Sequence, residues 1–192
     1  MAQWPNGREP PGPMTHRRLV QWPNGDDYTY QMRFAITPGV LAVDPLVREV
    51  ERDAQGRGEG CGGLCTFLGV VRATHKGRRV RYLEYEAFEP LALNVFRQIE
   101  AEIAREWPHT VIAIHHRVGR LEIGEASVAI VAGSAHRAEG FQACRYAIER
   151  VKQVAPVWKH EFFEDGDAWV EGAVADPNDE FARQEARKRA CA

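Results

Sequence analysis

Cysteine and methionine are scarce in this chain of 192 residues, at four and three copies, and the net charge is only −2. The four cysteines stand at 61, 65, 144 and 191. The spacing Cys61-x-x-x-Cys65 lacks the redox C-x-x-C pattern. These cysteines read as small hydrophobes at alternate positions of an apolar strand and on a helix. His115-His116 with a cysteine does not read as a metal site, because neighbours in a strand point to opposite faces. A basic excess is missing too, which argues against bulk nucleic-acid binding. No apolar run approaches the ~18 residues of a membrane helix. No basic-then-apolar signal pattern opens the chain. A cytoplasmic location is the default expectation.

What is present suits an ordinary globular core, with 44% hydrophobic and 27% charged residues. The length fits one domain with tails or two small subdomains. Residues 1–31 differ from the rest. They hold five prolines, show little apolar periodicity, and carry Gln-Trp-Pro-Asn-Gly twice, at 3–7 and 21–25. They read as a disordered leader or upstream extension. The main domain is expected over 32–175, and a charged C-terminal tail over 176–192.

Within the domain, Arg33–Thr37 reads as a short strand. Asp44-Pro45 starts a helix, with aspartate as N-cap and proline at the first helical position. Residues 62–72 form a buried strand and Val80–Phe88 an alternating one. The two suggest a hairpin with a long basic tip at Thr74–Arg79. A helix spans 89–106, begins near Pro90 and ends at Trp107-Pro108. Strands follow at 110–118 and 126–133, joined by 119–124. A long helix runs from about Ala135 to Val154. A strand over 157–164 returns at Asp165-Gly166 through Ala168–Val170. Glu180–Arg189 is a charged stretch or frayed helix. This order favours an α+β fold on antiparallel sheet over a parallel doubly wound one.

The long helix carries the candidate chemistry. At about 100° per residue, Gly140, Cys144, Ile148, Val151 and Ala155 share one apolar sector with Arg137, while His136 lies at its edge. Lys152 falls about 20° from Phe141 on the same count. Such a lysine either snorkels or is desolvated and able to act as base or nucleophile. The helix start, Gly133-Ser134-Ala135-His136-Arg137, offers free N–H groups and the positive dipole end to an anion, with Ser134 a candidate cap. Arg137 adds a planar fork suited to phosphate. Lys159 follows Trp158 just past Pro156, and that turn brings both lysines to one end of the sheet. The expectation is one cavity holding both lysines and a cationic cradle.

Four segments resemble the large subunit of molybdopterin synthase in order and spacing. They are Thr66-Phe67-Leu68-Gly69-Val70-Val71-Arg72, His116-Arg117-Val118-Gly119, Gly133-Ser134-Ala135-His136-Arg137, and Val151-Lys152-Gln153-Val154-Ala155-Pro156-Val157-Trp158-Lys159. The likeness covers about 33–172. It implies an α/β hammerhead-like fold with an added small antiparallel subdomain. It implies a sulfurtransferase that converts cyclic pyranopterin monophosphate (precursor Z) to molybdopterin. The implied sulfur donor is a small ubiquitin-like subunit ending in a Gly-Gly thiocarboxylate, docked at each end of a central homodimer to make a heterotetramer. By the same resemblance Lys152 and Lys159 are the catalytic lysines. Arg72, His136 and Arg137 bind substrate, and Phe67 lines the pocket. No metal, nucleotide or other cofactor is needed, since the donor arrives activated. Ala73-Thr74-His75 departs from the asparagine-bearing loop of some relatives.

Two other readings compete. A non-catalytic scaffold for a ubiquitin-like partner would bind without making product, yet both lysines and His136-Arg137 are retained. A nucleic-acid binder would use the Arg72–Arg81 strip and show steep salt dependence.

Overall fold

The computed structural model describes residues 33–170, 172 and 175–192. The leader expected over 1–31 lies outside them. Arg33–Ala192 is a single unit, built on two sheets.

The first sheet is made by β1 (Phe34–Thr37), β2 (Gly63–Val70), β5 (Val111–Arg117) and β7 (Ala126–Ser134), in the order β1-β5-β7-β2. β1 runs parallel to β5, and the other pairs are antiparallel. Helices cover both faces. α2 (Glu89–Glu106) and α3 (Arg137–Val154) pack on one side, where Phe96, Ile99, Ile103, Ala143 and Ala147 meet Ile112, Ile114 and Ile130. α1 (Val43–Gln55) packs on the other. A Cβ at Gly133 would lie 2.9 Å from Val50 of α1, so only glycine lets this helix sit so close. Double coverage explains why β5 and β7 are buried along nearly their whole length rather than at alternate positions.

The second sheet holds β3 (Thr74–His75), β4 (Arg78–Ala87), β8 (Val157–Phe163) and β9 (Gly166–Val170) in that order, and β6 (Gly119–Glu122) pairs with β4. Its own small core gathers Val71, Val80, Leu83, Leu121 and Phe163. Only Val118 separates β5 of the first sheet from β6 of the second, and Gly119 takes a left-handed φ of 82°. This is the α+β architecture with a small antiparallel subdomain.

Several local expectations change. The strands at 63–70 and 78–87 do not form a hairpin. β2 pairs with β7 instead, Gly63 opposite Ser134 through Gly69 opposite Val128. The basic tip shrinks to a two-residue turn at Lys76-Gly77, with φ of 48° and 79°, flanked by His75 opposite Arg78. Left-handed φ at both positions matches the right-handed twist of the strands. The joining segment 119–124 contains β6. α1 starts at Val43 with Ala42 as N-cap, so Asp44 sits in the first turn, where its charge suits the dipole. His136, not Ser134, is the N-cap of α3. Ser134 is fully buried and its hydroxyl donates to Glu139 at 2.7 Å.

The charged stretch near the C-terminus is an ordered helix, α4 (Glu180–Ala190). Asp179 caps it by accepting from the amides of Phe181 and Ala182. Ala182, Ala186 and Ala190 recur at four-residue spacing and are all buried, so the helix packs on α3 by its small side chains while its charges stay outside. Beneath it, Arg150 of α3 is fully buried and pairs with Glu102 of α2 at 2.9 and 3.0 Å. Tyr146 donates to the same carboxylate at 2.8 Å. Burial, followed by the Glu102 charge, pushes the Tyr146 phenol up. No helix among the described residues is long and apolar enough to cross a membrane.

Candidate active site

An open cavity of about 620 Å³ lies between the two sheets. Alternation along β2 turns Phe67 and Gly69 towards α3, and Arg72 follows the strand end. The last two turns of α3 contribute Ile148, Val151 and Lys152. The chain then turns at Pro156, and alternation along β8 points Val157, Lys159 and Glu161 at the same space. Tyr85 of β4 stands opposite Lys159, and Leu83 opposite Glu161. The cavity therefore holds Lys152, Lys159, Arg72 and Phe67 together.

Lys159 is 27% exposed and its Nζ lies 2.6 Å from Glu161 Oε1. The other oxygen of Glu161 meets His75 Nδ1 at 2.5 Å. Burial works against the charge of Glu161. The hydrogen bonds from Lys159 and His75 outweigh it and hold the carboxyl below the usual range. Lys159 is thus held by a carboxylate, across the strand pair from Tyr85. Lys152 is exposed while lining the cavity, so its ammonium is not desolvated in the single chain.

His116 forms the back wall. Its Nδ1 donates to the Arg117 carbonyl at 2.9 Å, and its ring meets Tyr85 edge-on at 5.1 Å. Burial pushes its pKa down to about 4, so it is a neutral donor and aromatic wall at neutral pH. Burial raises the phenol of Tyr85, opposed by a hydrogen bond with Ser127.

His136 and Arg137 do not share this cavity. Both are exposed at the first turn of α3, beside the start of β2. His136 lies 3.4 Å from Glu59. Fifteen residues separate Arg137 from Lys152, which is about 22 Å along a helix axis. The single-chain cradle is therefore not assembled: angular position on the helix agrees, axial position does not. Glu161, His75, Tyr85 and Ser127 are the lining residues that the sequence reading missed. For Glu161 the signal was its place two residues after Lys159, on the same face of a strand.

A family model described as MoaE protein matches residues 40–154. The molybdopterin synthase catalytic subunit of Bacillus subtilis is 43% identical over 138 residues, 72% of this chain and 84% of that one. This chain belongs to the MoaE family of molybdopterin synthase catalytic subunits. The MoaE fold also recurs in solved structures. The crystal structure of molybdopterin synthase from Staphylococcus aureus superposes with a TM-score of 0.68 at 35% identity, covering 74% of this chain and 99% of that one. A complex of subunits 1 and 2 of molybdopterin-converting factor from Helicobacter pylori shares the MoaE fold with a TM-score of 0.58 at 21% identity, over 73% of this chain and 91% of that one. The MoaE match ends at Val154, so β8 with Lys159 and Glu161 lies beyond it, while the Bacillus relative extends over a longer stretch.

Proposed function

We propose that this chain transfers sulfur from the C-terminal thiocarboxylate of a small ubiquitin-like subunit to precursor Z, and that the reaction runs in the cavity between the two sheets. The carrying observation is the convergence of Lys152 and Lys159, from a helix end and a strand, on one cavity with Arg72 and Phe67.

The chemistry needs a cationic, partly dry space. The donor tail brings a negative thiocarboxylate, and the substrate brings a phosphate. Lys159, held by Glu161, is fixed in place to stabilise negative charge that develops on the acyl oxygen. Lys152, exposed in the free chain, exchanges protons at the thiocarboxylate once the tail covers it. Arg72 neutralises the anionic side of the substrate, and Phe67 gives the pterin an apolar wall.

His136 and Arg137 are assigned to the substrate phosphate as well, in the cavity of a second copy. The helix length between Arg137 and Lys152 forbids a shared site within one chain. A central homodimer, flanked by two small subunits, brings these groups to the opposite pocket.

The test is an assay with precursor Z and thiocarboxylated small subunit. Lys152→Ala should lower turnover on the order of 100- to 10,000-fold with the fold intact by circular dichroism. Normal turnover by that variant would remove Lys152 from the mechanism. Tight binding of the small subunit by the wild-type chain without product would convert the assignment to a scaffold.

A further inference from the structure

We propose that His75 is a positioning residue for the reaction: by donating to Glu161 it fixes the carboxylate that in turn holds Lys159. This role rests on the sulfur-transfer reading above and adds a residue to it.

The local sequence sets the place of the imidazole. β3 has two residues, and the turn at Lys76-Gly77 folds it back on β4 with His75 opposite Arg78. A two-residue turn with both φ values left-handed leaves the register little freedom. Thr74 is exposed, and alternation turns His75 inward to Glu161, which lies 86 residues further along the chain. The Glu161 side chain is 4% exposed and that of His75 24%. The two carboxylate oxygens are divided between two donors. Oε1 lies 2.6 Å from Lys159 Nζ, and Oε2 lies 2.5 Å from His75 Nδ1. An ionised carboxylate only accepts, so Nδ1 carries the proton of that bond.

Glu161 stands on a boundary. It lines the reaction cavity and a second cavity of about 430 Å³, and His75 lines both as well. Cations face it from each side. Lys152 of α3 and Arg72 line the reaction cavity, and Lys76 and Arg78 line the second. Arg78 is occupied, bonded to Asp165 at 2.8 Å and seated 3.7 Å from the Phe163 ring centre. From the flanking strands, β4 presents the Tyr85 phenol and β9 the uncharged Ala168, while the neutral His116 stands in the cavity wall. Charge alone therefore gives this carboxylate no single direction. The bond from His75 selects the orientation that leaves Oε1 to Lys159. It also keeps Glu161 ionised: burial raises its carboxyl, and the bonds from Lys159 and His75 lower it. Without His75 the carboxyl takes up a proton at higher pH, and a protonated Glu161 releases Lys159.

The test compares the full wild-type chain with His75→Leu and His75→Asn, assayed with precursor Z and thiocarboxylated small subunit. Leucine has no donor, whereas asparagine carries an N–H at the position of Nδ1. His75→Leu should lower kcat about tenfold and move the acid limb of its pH profile up by about 1 pH unit. His75→Asn should recover most of both losses. In a Glu161→Gln background, His75→Leu should cost less than about twofold more, because its effect runs through Glu161. A second readout needs no turnover. The chain has four lysines, so the Lys159 side-chain resonance is assignable in protein made with isotope-labelled lysine. It should shift on His75→Leu and return on His75→Asn. Equal losses in the leucine and asparagine variants, an unmoved acid limb, or an undiminished loss in the Glu161→Gln background overturns the proposal. So does unfolding of both His75→Leu and His75→Ala by circular dichroism, which makes His75 a structural residue. An inactive wild type whose Lys159 resonance responds as expected sinks the sulfur-transfer reading and leaves the positioning role standing. An active wild type with a silent His75→Leu does the reverse.

Discussion

At the scale of single residues, one carboxylate and one neutral imidazole organise the cationic lining of the cavity. Glu161 accepts from both Lys159 and His75, so it fixes two side chains at once. Glu161→Gln should free Lys159 and raise KM and lower kcat together, whereas a merely structural role would shift only the melting temperature. His116 offers a cleaner pH signature. Its folded-state pKa is near 4, below the ordinary 6.5, so the unfolded chain takes up the proton first as pH falls. Stability should therefore be full above 6.5 and decline between 6.5 and 4, by about 3 kcal/mol at most. Urea titrations at pH 7, 5.5 and 4.5 would show this slope. His116→Gln should flatten it, and an unchanged slope would assign the loss to other groups.

At the scale of elements, legibility followed punctuation and periodicity. The bounds of α2 were readable because Pro90 and Trp107-Pro108 mark them, and β8 alternates cleanly enough to place Lys159. The pairing of β2 was not readable. An apolar strand carries no address, and its partner β7 lies more than fifty residues away while β3 and β4 follow it directly in the chain. α4 was obscured because its buried stripe is alanine, which registers weakly among so many charges. The convergence of Lys152 and Lys159 was foreseeable from the proline turn between them. The separation of Arg137 from Lys152 was lost because an angular count ignores rise along the axis. The Arg150–Glu102 pair was equally hidden, since nothing in a sequence says which arginine is buried. Arg150→Met should destabilise the fold by about 3–5 kcal/mol, because it strands a buried carboxylate. Thermal unfolding of the variant, compared with Glu102→Gln/Arg150→Met, would separate that penalty from simple loss of packing.

At the scale of the whole molecule, a shared site predicts complementation. Lys152→Ala and Arg137→Ala each damage both pockets of their own homodimer. After subunit mixing, half the dimers are hybrid, and each hybrid carries both lesions in one pocket and none in the other. Activity should recover to about a quarter of wild type, as counting intact pockets in a two-fold dimer requires. Recovery no greater than the two parent variants would place all working groups in one protomer.

The junction at Val118-Gly119 carries a mechanical consequence. The walls of the reaction chamber hang from different sheets, and a single residue joins strand to strand there before a left-handed glycine. A side chain at 119 would find empty space, so sterics leave that position open and only backbone preference resists change. The torsions at Val118 and Gly119 therefore fix the angle at which β5 hands over to β6, one of several links between the two walls of the cleft.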